Sequence, residues 1–524
     1  MKPYSLVKYA VLDGVKIPIS EKVDLDGNYL SVIVGKNGSG KSRLLRNIAL
    51  SIIVNSRLQI SDGQISPDVD MFRLNDEVWF DFDLSRVIGS VYISGDHENE
   101  FWPESGGEWY QDYRRVSKTA PANVICISNS FFHKFPSNEE WPLLYFRLRR
   151  GERDIYKNLC LTELYNDTRH SKKTISNMFL LRALTKSLVD DKDSLTNTLT
   201  MLNSFGGYDG VQISFHLHEH LCVFNLNEYN TSVEKFRESL VFIDLFRYST
   251  DDELRDVMSK IHLFLELVDY KVNVRKRFDI DESEDVLETD TYQYCFKYNK
   301  CSSTYSFFMN ENGDSSIISE ELKSLIVFFN DNHLLTVTDV NFIKSSRKIP
   351  FGNLSSGELN ILTSLVLINS EIKDCSIVLI DEPEINLHPK WQEDIIPTLM
   401  NCFSHITGCH FIVATHSPLV ASSVKEENSS VVIIDENKEN TLIIPGKLVK
   451  GKSSDFQLFY TLKYPGPHNE YLIRRLLTII AKRKNGSDIS REDILLIRDA
   501  SELLYDVSDG DEVKYLLAQA LALI

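Results

Sequence analysis

Apolar positions form short unbroken runs near both ends of the chain and a mixed pattern between them. Ser5 to Leu12, Tyr29 to Val34, Val124 to Ser128, Ser376 to Ile380, His410 to Ala414 and Ser430 to Asp435 read as strands. The fully apolar run Ile377 to Ile380 suits the middle of a parallel sheet. The spacing turns helical from about Lys41 to Val54, Ser356 to Ser370 and Lys390 to Ser404. In the middle, short strands such as Val211 to Leu217 alternate with helices. Thr250 and Glu253 form a capping box, and Leu254, Val257, Met258, Ile261 and Leu265 follow at core-facing spacing. From Gly451 the chain is mostly helical and ends in the apolar run Leu516 to Ile524. The pattern predicts an α/β head split by an insertion: residues 1–145 and 335–450 form the head, 146–334 a mostly helical inserted domain with some mixed α/β character, and 451–524 a helical interaction domain.

Gly35-Lys36-Asn37-Gly38-Ser39-Gly40-Lys41-Ser42 matches G-x-x-x-x-G-K-[ST] at every fixed position, after a strand and at the start of a helix. Glycines there let backbone N–H groups turn around phosphate oxygens, and the helix N-terminus adds partial positive charge. Lys41 is placed to reach the β- and γ-phosphates of a nucleotide, and Ser42 to ligate Mg²⁺. The strand ending Ile380-Asp381-Glu382 supplies two acids. Asp381 can hold Mg²⁺ through water, and Glu382 can polarise the attacking water as general base.

Further on, Leu354-Ser355-Ser356-Gly357-Glu358 resembles the ABC signature, with Ser356 in the first glycine slot. Glu384 to Pro389 resembles the D-loop, and Ala414-Thr415-His416-Ser417-Pro418 the switch loop. Together these motifs resemble an ABC-type ATPase head. The resemblance implies ATP and Mg²⁺ as ligands and a head-to-head homodimer, possibly extended to higher oligomers. Each ATP would be contacted in trans by Ser355, Ser356, Gly357 and Glu358 and in cis by His416. The Q-loop glutamine is missing, and Ser128 or Asn129 stands in its region.

The formal net charge of −18 argues against a blanket electrostatic hold on DNA. Local DNA contact stays open at Arg147, Arg149 and Arg150, at Arg275, Lys276 and Arg277, and at Lys344, Arg347 and Lys348. Eight cysteines with no C-x-x-C pair fit a reducing cytoplasm, and no apolar stretch is long enough for a membrane span. His216, His218 and His220 alternate on an expected strand; a metal is conceivable, but a polar strand face is the simpler reading. His388 goes with the D-loop pattern rather than with a metal.

The P-loop form is similar to that of the SMC, RecF and OLD-type ATPases. The size of the insertion and the stretch Ser128 to Pro136 resemble the PtuA family, the ATPases of Septu and retron anti-phage systems. That resemblance implies a separate HNH nuclease of the PtuB type as partner and, in a retron, a reverse transcriptase with its msDNA. The alternative is an SMC/RecF-like DNA-repair ATPase, against which stands the lack of heptads between the P-loop and the signature. A Toprim nuclease is disfavoured, because after His416 only Asp509-Gly510-Asp511 offers a D-x-D and no matching glutamate strand accompanies it.

Overall fold

The computed structural model describes residues 5–13, 15–21, 27–55, 59–61, 64–66, 91–94, 97–99, 121–128, 130, 134–135, 156–160, 183–188, 192–217, 233, 250–267, 274–275, 295–296, 303–308, 320–331, 334–424, 427–435, 438–449, 451–460, 463–503 and 510–523. Asn129, His218, His220, Asp509 and the arginines at 147, 149 and 150 lie outside them. The chain divides into two compact units, residues 1–169 with 356–524, and residues 170–355. The fold is α/β.

The first unit is built on a seven-stranded sheet. Its order runs Leu442–Pro445, Ser429–Ile434, Tyr29–Gly35, His410–Thr415, Ile377–Asp381, Val124–Ser128, Tyr156–Asn158. All neighbours are parallel except Leu442–Pro445, which lies antiparallel at one edge. The five central strands are buried along their whole length, which is why their sequences are continuous apolar runs without alternation. The helix Lys41–Asn55 lays Leu44, Leu45, Ile48, Ala49 and Ile52 on this sheet.

A second, antiparallel sheet includes Ser5–Leu12 and Val15–Pro18. A buried polar network ties it to the first. The Val7 N–H donates to His410 Nδ1 (3.0 Å), so the ring proton sits on Nε2 and faces the Ser31 hydroxyl 2.8 Å away. Ser31 and Ser430 both donate to the Ile19 carbonyl, at 2.7 and 2.8 Å. Every polar atom of the imidazole is therefore satisfied in the core, as burial demands.

The C-terminal helices Ser454–Tyr460, Glu470–Lys484, Arg491–Leu503 and Glu512–Leu521 share a core of Phe459, Leu472, Leu476, Ile479, Leu496, Ile497, Val513 and Leu517. Leu516 and Leu523 pack against it, while Tyr515 and Leu521 stay exposed. Asp511 is spent on capping: its Oδ1 accepts from the Val513 N–H and its Oδ2 from the His468 N–H, both at 2.8 Å.

In the second unit, Ser303–Phe308, Gly210–Leu217, Leu335–Lys344 and Arg347–Pro350 form an antiparallel sheet in that order. The stretch 335–350, expected beside the signature, thus pairs with a strand more than a hundred residues upstream. Ser345 and Ser346 both take positive φ (48° and 65°), as a two-residue hairpin turn needs. The capping box is formed: Glu253 Oε2 accepts from the Thr250 N–H (2.7 Å) and Thr250 Oγ1 from the Glu253 N–H (3.3 Å). On that helix Leu254, Val257, Ile261 and Phe264 are buried, and Phe264 meets Phe329 edge to face at 5.3 Å. Phe264 was not among the expected core positions. Two lysines considered for DNA are engaged locally, Lys344 with the Gly206 carbonyl (2.7 Å) and Lys348 with Gln212 Oε1 (3.0 Å).

Burial holds the His410 pKa down at about 3. The free imidazole titrates near 6.5, so the ring stabilises the fold above about pH 6.5, and that contribution is lost as the pH falls from there toward 3. Between pH 7 and 5 this one group should remove about 2 kcal/mol. Urea denaturation of the wild type and of His410→Gln at both pH values measures it: the wild type should lose that much more stability than the variant.

Candidate functional site

The loop between Gly35 and Lys41 is shaped by positions where no side chain fits. A Cβ at Gly35 would lie 2.5 Å from the Ile434 carbonyl oxygen. At Gly40, φ is +101° and a Cβ would come within 2.9 Å of Leu12. Ser39 is buried, and Lys36 and Asn37 are exposed. Lys41 follows at the first position of its helix and is only 4% exposed. Its Nζ donates to the carbonyls of Gly35 (2.8 Å) and Lys36 (3.0 Å) and to His416 Nδ1 (3.0 Å).

The same sheet edge carries the acids. Ser42 Oγ donates to Asp381 Oδ1 at 3.1 Å. With Lys41 donating to Nδ1, the His416 ring proton sits on Nε2 and points at Glu382 Oε1, 2.6 Å away. Asn37, Gly38, Gly40, Lys41, Ser42, Arg43, Lys134, Glu382 and His416 line one cavity of about 550 Å³. The order of the strands explains the convergence. His410–Thr415 lies between the P-loop strand and Ile377–Asp381 in parallel register, so residues 42, 381, 382 and 416 all emerge at the C-terminal edge.

Burial pushes the Lys41 pKa down to about 8, against the pull of Glu382, Asp381 and Glu384. Burial also raises Asp381 to about 6; the hydrogen bond from Ser42 opposes the rise, and the charges of Glu382 and Glu384 add to it. These residues suit a magnesium-bound phosphate group: Ser42 and Asp381 bring hard oxygen donors together, and Lys41 is held by neutral acceptors that it can leave.

The turn after the strand bends sharply, with Glu382 at φ +50° and Asn386 at φ +63°. Glu384 grips the switch loop from this turn. Its Oε1 accepts from Thr415 Oγ1 (2.7 Å), the His416 N–H (2.7 Å) and the Ser417 N–H (3.2 Å). Gln392 adds a second tie, donating to the Leu387 carbonyl (3.0 Å) and accepting from Ser417 Oγ (2.7 Å). Asn360, on the helix Ser356–Glu371, donates to the Ile385 carbonyl at 2.9 Å. Neither the gripping role of Glu384 nor that of Gln392 was visible in the sequence. Glu384 stood inside the D-loop pattern, but its partners are about thirty residues downstream. His388 caps the helix Pro389–Cys402, its Nδ1 accepting from the Lys390 N–H (3.4 Å).

The signature-like stretch divides between the two units. Ser355 is exposed at the end of the second unit. Ser356, exposed, and Glu358, half-buried, flank the buried Gly357 in the first turn of their helix, and a Cβ at Gly357 would lie 3.3 Å from Trp391. Ser356, Gly357 and Glu358 do not line the cavity. Of the two Q-loop candidates, Ser128 is buried at its strand end and accepts from the Ser130 N–H (3.1 Å). Among the described residues no cluster of His, Cys, Asp and Glu could hold a metal by itself, and no helix is long and apolar enough to cross a membrane.

Removing the Glu384 carboxylate should loosen the switch loop. Glu384→Ala should raise amide hydrogen exchange at His416 and Ser417 by roughly tenfold or more, since each loses a bond worth about 1–3 kcal/mol to a charged acceptor. Glu384→Gln, which keeps an acceptor oxygen, should restore most of the protection.

Residues 215–422 match the family AAA_21, described as "AAA domain, putative AbiEii toxin, Type IV TA system". The chain is 32% identical over 168 residues to the "Retron Vc95 probable ATPase" of Vibrio cholerae serotype O1 biovar El Tor, covering 29% of this chain and 32% of that protein. It is 32% identical over 155 residues to the "Retron Ec83 probable ATPase" of Escherichia coli, covering 26% and 27%. With the "Septu protein PtuA" of Bacillus mycoides (strain KBAB4) it shares 36% over 90 residues, 17% of this chain and 12% of that one. The chain thus spans a third or less of the length of these curated relatives. Among solved structures, a nucleotide-free ATP-binding cassette from an ABC transporter aligns with 83% of this chain and 88% of its own at 10% identity and a TM-score of 0.25. An Smc head with an extended coiled coil, bound to the C-terminal domain of ScpA derived from Pyrococcus furiosus, aligns with 84% and 96% at 10% identity and a TM-score of 0.26. The sheet order itself, rather than these loose superpositions, defines the fold. Residues 215–422 are thus similar to the AAA_21 family, and shorter stretches of the chain are similar to two proteins named as retron probable ATPases and to a Septu protein.

Proposed function

We propose that the chain binds and hydrolyses ATP as the regulatory subunit of a bacterial anti-phage system, dimerising head to head and controlling a separate nuclease of the HNH type. The observation that carries the ATPase part is the convergence of Lys41, Ser42, Glu382 and His416 on one cavity, with Asp381 bonded to Ser42. Loop amides and Lys41 would hold the phosphates, the ammonium leaving His416 Nδ1 for the β- and γ-oxygens. Mg²⁺ held by Ser42, and by Asp381 through water, would neutralise charge on those oxygens. Glu382 would take the proton of the attacking water, and His416, oriented by Glu384, would donate its Nε2 proton toward the γ-phosphate.

A dimer is supported by the signature residues Ser356, Gly357 and Glu358 lying outside the cavity of their own chain. A site of this type would then be completed by Ser355 and its neighbours from a second copy. A place in such a system is supported by the names of the retron and Septu relatives. The insertion and the helices from Ser454 onward, where Tyr515 and Leu521 are exposed, are the parts that would hold the partner nuclease.

Glu382→Gln should keep ATP binding and slow hydrolysis by about a hundredfold or more, while Lys41→Ala should weaken binding itself. An unchanged turnover in Glu382→Gln would remove the assigned base. A mixture of Lys41→Ala and Ser355→Arg proteins should recover part of the activity, because one of the two composite sites keeps both normal elements. Heterodimers without recovery would argue for a site complete within one chain. Binding should also depend on pH. Lys41 must be charged to hold phosphate, so affinity for ATP should fall as the pH rises above about 8, by up to tenfold per unit. The purified chain should cut no plasmid in Mg²⁺ or Mn²⁺. A nuclease that co-purifies with it should be lost when the residues after Gly451 are removed.

A further inference from the structure

Beside the phosphate-binding elements the cavity has a second wall. Arg43 follows Ser42 on the same helix and lines the same space. Its two terminal nitrogens are both taken by one carboxylate: Nη1 donates to Asp13 Oδ1 (2.8 Å) and Nη2 to Asp13 Oδ2 (3.0 Å). Asp13 stands at φ +52° in the turn between Ser5–Leu12 and Val15–Pro18, and Lys438 Nζ reaches its Oδ2 at 3.0 Å. Burial would raise the Asp13 pKa, but the hydrogen bonds and charges of Lys438 and Arg43 outweigh it, and the net shift is downward. The turn is seated against the loop, with Leu12 and Arg43 both within about 3.3 Å of where a Gly40 side chain would begin.

An arginine held this way has its charge paired and two of its five N–H donors spent. Fixed in plane by those two bonds, the guanidinium keeps a flat, weakly hydrated face, a surface that stacks on aromatic rings. On the nucleotide-site reading Lys41 and Ser42 take the β- and γ-phosphates, which leaves Arg43, on the same cavity wall, for the nucleoside end. Among the described residues that line the cavity none is Phe, Tyr or Trp. We propose that Arg43, clamped by Asp13, is the platform on which the base of the bound nucleotide stacks, and that it makes the site prefer purine over pyrimidine nucleoside triphosphates. This rests on the nucleotide-site reading above and names the part of the ligand that reading leaves unassigned.

The test is calorimetric titration of the full chain, in Mg²⁺, with ATP, CTP and inorganic tripolyphosphate. The wild type should bind ATP about five- to tenfold more tightly than CTP, in line with the strength of such stacking. Arg43→Lys keeps the charge and loses the plane. It should bring the ATP-to-CTP ratio close to one and leave tripolyphosphate binding unchanged. Asp13→Asn should lower the ratio less, by loosening the clamp. An unchanged ratio in Arg43→Lys, or an equal loss for all three ligands, would overturn the platform. If the wild type bound none of the three, the nucleotide site itself would fall and the platform with it. The exposed position of Arg43 makes a folding defect easy to separate, since Arg43→Lys should melt at the wild-type temperature.

Discussion

Burying the Lys41 ammonium constrains everything around it. A cation with 4% exposure must find acceptors within reach, or give up its proton. Here it does some of both. Two loop carbonyls and an imidazole accept from it, and burial still lowers its pKa to about 8. The acceptors are neutral, while the three acids that favour its charge stand nearby without taking it as a partner. The lysine is therefore held in place by bonds that cost little to exchange for a phosphate. His416, in turn, is fixed in one tautomer by the lysine and directed at Glu382.

The placement of His416 depends on two further devices. Inserting the strand His410–Thr415 between the P-loop strand and the strand of Asp381 brings its end level with both. Glu384 then reaches back from the turn beyond Glu382 and accepts from the switch loop through three donors. The turn is itself held to the helix Ser356–Glu371 through Asn360. Signature helix, acid turn and switch loop thus form one continuous set of hydrogen bonds, and a shift in any of them bears on the others.

Away from the site, the polar groups in the core serve attachment rather than chemistry. The His410 ring bridges two sheets by using both nitrogens, and Asp511 uses both oxygens to fix a helix start and the turn at His468. Each could be taken for a functional residue on sequence grounds alone. Their bonds inside the protein account for their places in the core.

The sequence by itself determined the elements whose physics is local. Short Val-Ile-Leu runs bounded by turn residues suit buried strands, and their observed ends lie within a residue of those expected. Gly35, Gly40 and Lys41 announce a phosphate loop because only glycine tolerates those contacts and torsions. Thr250 and Glu253 cap a helix within three residues of each other. Tertiary structure alone decided what depends on residues far apart in the chain. Asp13 in a hairpin turn meets Arg43 on a helix 30 positions later, and Lys41 and His416 are separated by 375 positions. The strand Leu335–Lys344 joins Gly210–Leu217 because its register buries Val340 and Phe342 there, whereas an apolar pattern states only that a face must be covered and not by which partner.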